Sequence, residues 1–208
     1  MSPDNSLVSE PVAQSERLVL HVGPGVPNPL KLHVNFRQPG WREIRLDIAE
    51  ANQPDIVGDM TDMHAVASGS MDAVYSSHNL EHVYTHEVPI VLAEFLRVLK
   101  PGGHVLLTCP DLVATARAIL DHGLTGTAYQ SPSGPITPLD ILYGFGKAVA
   151  RGNLYMAHKT GFSVESLKAV FEKAGFVQIE CKTGRSFDLW IRAFKPGAGK
   201  TPAVAADA

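Results

Sequence analysis

The chain has 208 residues, a formal net charge of −3 and two cysteines, Cys109 and Cys181. A chain of that length buries a core as one domain without disulfide staples, and two cysteines on apolar segments suit a reducing, cytoplasmic setting. The mild negative charge without a basic cluster argues against nucleic acid as partner. The polar start MSPDNSLVSEPVAQSE is not a secretory signal, and no apolar stretch reaches the roughly 18 residues of a membrane span.

Residues 1–16 are polar and 197–208 are rich in small residues, and both read as disordered tails around one domain, 17–196. GAGKT, near the C-terminus, is not a phosphate loop: position 194, where the motif needs its first glycine, is Phe194, and no helix can follow.

In chain order, RLVLHV (17–22) is a short β-branched strand that meets the turn Gly23-Pro24-Gly25. A nucleotide fold places its first helix next. Here residues 24–40 carry four prolines and little helical periodicity, and the residue three beyond Gly25 is Asn28, so the dinucleotide fingerprint is absent. REIRLDI (42–48) is a second strand. It ends at Asp47, 22 residues after Gly25, where a carboxylate can accept bonds from vicinal ribose hydroxyls. DIV leads to Asp59, which can take the exocyclic amine of a base, and MDAVYS (71–76) is another strand.

Residues 85–99 place Val88, Val91, Leu92, Phe95 and Leu99 on one helical face and stop at Lys100-Pro101-Gly102-Gly103. GHVLLTC (103–109) is a buried-type strand. Residues 112–160 break the pattern: two helix-like pieces flank a Pro/Gly/Ser-rich loop, and an insertion at this edge covers a ligand crevice. Ser163 caps a helix that ends at Gly175, and FVQIECKT and FDLWIRAF form an antiparallel hairpin at the edge of the sheet. Alternating strands and helices predict an α/β, Rossmann-like, doubly wound sheet with ligands beyond the carboxyl ends of its strands.

LHVGPG, RLDI, DIVGDMTDM, SMDAVYSSHNLEHV, EFLRVLKPGGHVLLTCPDL and HKTGFSVESLKAVFEKAGF together resemble the class I S-adenosylmethionine-dependent methyltransferases. The likeness covers roughly residues 17–195 and is nearest the small bacterial members with a shortened first helix. It implies a seven-stranded sheet with an antiparallel last strand, a helical lid insertion, and methyl transfer from S-adenosylmethionine. It further implies that Gly23, Pro24 and Gly25 lie against the methionine and ribose, Asp47 with Ile48 at the ribose, Asp59 with Met60 at the adenine, and Ser76, Ser77 and His78 beneath the sulfonium. The prolines of the glycine loop depart from the family pattern.

His78, His82 and His86 are spaced four apart, and His78-x-x-Glu81-His82 matches a zinc-peptidase pattern. That reading needs one continuous helix and a third ligand. The strand before His78 argues against the helix, so no metal is expected. Leu80–Val83 read as the start of a packing helix, with His82 an orienting or packed side chain and His86 on the surface. If the acceptor must lose a proton, the candidate catalytic residues are His78, His158 and Tyr155. Tyr143 and Phe145 line the acceptor pocket or fill the lid.

The expected function is methyl transfer from S-adenosylmethionine to oxygen or nitrogen of a small-molecule acceptor, with no nucleic-acid or membrane partner and homodimerisation left open. Two alternatives stand beside it: a non-catalytic relative that binds adenosine ligands or protein partners, and a zinc hydrolase using His78, Glu81 and His82.

Overall fold

The computed structural model of the protein describes residues 16–197. Apart from Glu16 and Gly197, the expected tails 1–16 and 197–208 lie outside the described residues.

Seven strands form the main sheet: β1 (Arg17–Val22), β2 (Trp41–Asp47), β3 (Ile56–Val57), β4 (Met71–Ser77), β5 (Leu99–Pro110), and, after the insertion, a C-terminal hairpin. The insertion contributes α2 (Leu112–His122), a small hairpin of β6 (Tyr129–Ser131) and β7 (Gly134–Ile136), then α3 (Pro138–Tyr143) and α4 (Gly146–Ala150). The helix α1 (Val88–Val98) lies between β4 and β5, and α5 (Val164–Ala174) precedes β8 (Val177–Thr183) and β9 (Asp188–Phe194). The sheet order is β3-β2-β1-β4-β5-β9-β8. The first five strands pair in parallel, and β9 runs antiparallel to both neighbours.

The C-terminal hairpin lies at the edge of the sheet, as expected, with β9 antiparallel: β9 pairs with β5, its Leu189 opposite Cys109 and its Ile191 opposite Leu107, and β8 lies outermost. The reason is burial: Leu189, Ile191 and Ala193 are fully buried, whereas β8 alternates half-buried and exposed residues. A central place suits the strand with the apolar face.

The helices follow from caps and periodicity. Ser163 accepts from Ser166 N–H, and the Ser166 hydroxyl accepts from Ser163 N–H, a capping box that starts α5. Gly175 closes α5 in the left-handed conformation. The apolar stripe of α1 (Val88, Val91, Leu92, Phe95) packs with Leu167 and Phe171 of α5 on one sheet face. Each such side chain contributes about 1.5–3 kcal/mol on burial.

The opposite face is covered differently. No α-helix joins β1 to β2. Two 3-10 turns, Pro29–Lys31 and Val34–Phe36, stand where a shortened helix was expected. The prolines remove the backbone donors a longer helix would need. This loop nonetheless buries Leu32 and Phe36 against Val19, Ala73 and Tyr75, a second small core. LEHV also departs from expectation. Leu80–His82 is a single 3-10 turn that ends in extended Val83, and the helix proper begins at Val88 with Pro89 in its first turn.

Candidate active site

Four consecutive strand ends converge on one cavity of about 420 Å3, on either side of the point where the strand order reverses between β1 and β4. Gly23–Gly25 follow β1, Asp47–Ala49 follow β2, Gly58–Thr61 follow β3 and Ser77–Asn79 follow β4. The size falls within the roughly 300–1,000 Å3 of small-molecule sites.

Each wall segment is fixed by its own bonds. Gly23 and Gly25 both take positive φ, 63° and 66°. At Gly23 a Cβ would lie 2.1 Å from the side-chain oxygen of Asn79. That asparagine donates to the carbonyls of Val22 (2.9 Å) and Ser77 (3.0 Å), tying the ends of β1 and β4 together. Arg45 donates to the carbonyls of Gly25 (2.6 Å), Asn52 (3.1 Å) and Gln53 (2.7 Å), and so clamps the glycine turn to the turn after β2.

Asp47 is buried yet lines the cavity. Its Oδ2 accepts from Gly25 N–H at 2.8 Å, and its Oδ1 accepts from Ala49 N–H and the Asn52 amide, each at 2.9 Å. A carboxylate offers about four acceptor positions, so one remains, on Oδ2. A bidentate grip on two ribose hydroxyls therefore requires Asn52, itself on the wall, to exchange its bond. Asp59 accepts from Thr61 N–H and the Thr61 hydroxyl, both at 2.8 Å and both on Oδ1.

His78 stands at φ 54°, a left-handed conformation that costs a non-glycine residue about 1 kcal/mol or more. Its Nδ1 lies 3.3 Å from Oε1 of Glu81. Burial works against the charged ring, but the Glu81 carboxylate beside it outweighs burial and holds the His78 pKa above the usual histidine value. Burial also raises Glu81, and the contact with His78 and the charge of His82 overcome it, so that Glu81 stays below the usual carboxylate range.

Of the expected cofactor residues, Gly23, Pro24, Gly25, Asp47, Ile48, Asp59, Met60, Ser77 and His78 share this wall. Ser76 does not line it: the residue is fully buried beneath the wall, 3.4 Å from the Asn79 amide. Tyr155 reaches the cavity from the insertion together with Asn153 and Met156. His158 stands behind the wall, its ring edge-on to His82 with centroids 4.9 Å apart, and burial lowers its pKa. Tyr143 and Phe145 are not among the lining residues. Asn52, Lys31, His82, Glu87 and Lys159 line the cavity without having been singled out for it. Lys31 gave a local signal, as a cation six residues beyond the glycine turn; its Nζ donates to the Pro24 carbonyl at 2.9 Å.

The zinc-peptidase pattern does not form. His78 precedes the 3-10 turn in a left-handed conformation, so His78, His82 and His86 share no helical face.

The family model described as "Methyltransferase domain" matches residues 34–107. Among solved structures, a methyltransferase from Mesorhizobium loti, titled S-adenosylmethionine-dependent, shares 18% identity over 87% of this chain and 92% of its own, with a TM-score of 0.56. One from Archaeoglobus fulgidus shares 15% over 88% and 87%, with a TM-score of 0.56. The CurJ carbon methyltransferase shares 14% over 89% of this chain, with a TM-score of 0.57. The chain spans 50% of the CurJ structure and 64% of another match, so several of these proteins are longer. No curated protein sequence matches. With the strand order and the antiparallel last strand, these matches show that the chain has the fold of the class I S-adenosylmethionine-dependent methyltransferases. S-adenosylmethionine is the cofactor of that class, and the cavity fits it: two glycines with positive φ allow close approach, and two carboxylates stand at successive strand ends.

Proposed function

We propose that the protein transfers a methyl group from S-adenosylmethionine to an oxygen or nitrogen of a small-molecule acceptor, in a cytoplasmic setting. The observation that carries this reading is the single cavity that joins Asp47 and Asp59 to His78, His82 and Tyr155. Asp47 and Asp59 hold the ribose and adenine, and Gly23–Gly25 pass the methionine part. The bound cofactor supplies a methyl carbon already activated by the sulfonium.

What the chain adds is alignment of the acceptor with that carbon. Tyr155 and Met156 of the insertion line the same cavity as His78 and His82, so the insertion contributes to the wall that an acceptor would meet. If the acceptor loses a proton, His78 can take it, because its ring is half exposed on the cavity wall and lies beside Glu81, which stabilises the cation. A small acceptor is supported by the cavity volume, and the cytoplasm by two unpaired cysteines. No helix of the described residues is long and apolar enough to cross a membrane.

Calorimetry with S-adenosylmethionine, followed by a labelled-methyl screen of metabolite fractions, tests the reading. Micromolar binding, weakened by roughly 10- to 100-fold in Asp47→Ala, is expected. Failure of the wild-type protein to bind would leave the second reading, a non-catalytic relative. What favours that relative is the proline-rich loop after Gly25 and an Asp47 carboxylate already engaged by three donors of its own chain.

A further inference from the structure

Glu81 is fully buried, and neither of its carboxylate oxygens has a hydrogen-bond partner among the described residues; His78 Nδ1 makes a 3.3 Å ionic contact with it. A buried carboxylate left in that state costs several kcal/mol unless charge or a metal compensates it. Two more groups face the same place. Glu81, His82 and His158 each offer one ligand atom, and the three atoms lie within 4.8 Å of one another.

The tautomers of both rings are set. His82 Nδ1 lies 3.1 Å from the carbonyl oxygen of Ala157, and His158 Nδ1 lies 2.8 Å from that of Ile141. A carbonyl only accepts, so both Nδ1 atoms carry the proton and donate it. The free lone pair of each neutral ring is therefore on Nε2. A ring N–H anchored on a carbonyl, with the other nitrogen bare, is how metal-binding histidines are oriented.

Backbone bonds hold these distant pieces of chain together. Lys159 and Thr160 N–H groups donate to the Glu81 carbonyl at 2.8 and 3.3 Å, and His158 N–H donates to the Tyr143 carbonyl at 3.1 Å.

We infer that Glu81, His82 and His158 form a binding site for a divalent transition-metal ion of the zinc class. Two imidazole nitrogens and one carboxylate oxygen are a ligand set that zinc accepts while keeping a fourth position open. Ligands about 2.1 Å from zinc sit about 3.4 Å apart in a tetrahedron, so side-chain rotations that move each ligand atom by about 1 Å complete the site. His82 lies on the cavity wall, which puts the open position on the side where the acceptor enters. The site differs from the H-x-x-E-H pattern because its third ligand comes from the insertion and not from His78. It rests on these side chains alone and holds whether or not the methyl-transfer reading does.

The test uses the full chain, stripped with chelator and titrated with zinc chloride by calorimetry and with cobalt chloride by visible absorption. One equivalent of each ion is expected, with the cobalt bands of a low-symmetry nitrogen–oxygen site. His82→Ala and His158→Ala each weaken binding by about 100-fold or more, and His86→Ala, on the surface, leaves it unchanged. Glu81→Gln keeps the shape and weakens binding. If that variant does not fold, the two histidine variants, checked by circular dichroism, carry the test. No stoichiometric uptake by the wild-type protein, or uptake unchanged in both histidine variants, overturns the inference.

Discussion

The backbone N–H of Gly25 donates to Oδ2 of Asp47 at 2.8 Å, so the glycine turn after β1 and the acid after β2 are one unit. Asp47 therefore has two jobs: it orders the pocket, and it keeps one acceptor position for a ligand. Asp47→Ala orphans the donors of Gly25, Ala49 and Asn52. Since a buried donor left unmet costs about 1–3 kcal/mol, the variant loses stability in urea titrations. Binding of S-adenosylmethionine falls by roughly 10- to 100-fold, as expected for losing a charge-assisted bond. Asp47→Asn recovers more of the stability than of the affinity.

Gly23→Ala is strained twice, by its positive φ and by the Asn79 side chain 2.1 Å from the new Cβ. The two effects cost roughly 2–4 kcal/mol together. Gly23→Ala combined with Asn79→Ala relieves only the clash. Chemical denaturation of the two singles and the double is expected to give a double mutant more stable than the sum of its parts.

Arg97 on α1 donates to the carbonyls of Met63 and Val66, each at 2.8 Å, and Glu94 accepts the Met63 N–H at 2.7 Å. These bonds pin the far end of the loop that begins with Asp59 and Met60. Arg97→Ala is expected to raise the KM for S-adenosylmethionine several-fold with kcat little changed, measured by steady-state kinetics. Arg97→Lys restores only part, because a point cation cannot serve both carbonyls and Glu94 at once.

Asp72 joins three strands: its Oδ2 accepts from Leu18 N–H at 2.8 Å and from Lys100 Nζ at 2.7 Å. Burial alone would raise its pKa, but Lys100 and the Leu18 N–H outweigh burial and hold it below the usual carboxylate value. A group depressed in the folded state stabilises the protein above its unfolded pKa, and that stability is lost as the pH falls through the folded value. Asp72→Asn is therefore less stable than wild type by about 1 kcal/mol at pH 7. In urea titrations across pH, the gap closes below about pH 4.

Much of the fold was readable because its signals are local. The apolar stripe of α1, the Ser163 cap, the Gly175 stop and the acids at the ends of β2 and near β3 each follow from a few neighbouring residues. The misses involve choices made over distance. The place of β9 between β5 and β8 depends on which strand of the hairpin carries the fully buried face, and two similar apolar runs leave that open. The hairpin β6–β7 hides in a Pro/Gly-rich segment that reads as loop. Asn52 became a wall residue through the turn that brings its amide back to Asp47. The meeting of His82 with His158 depends on the insertion folding back to the turn at Glu81, and neither residue's neighbours announce the other.

The loop between β1 and β2 roofs the small core of Val19, Ala73 and Tyr75 with Leu32 and Phe36, while its first residues, Gly23–Gly25, form the cavity wall. No α-helix separates the two ends, so one short stretch of chain serves both the core behind the sheet and the pocket in front of it. A substitution at Phe36 is thus a change to the anchorage of the cavity wall as well as to a hydrophobic contact.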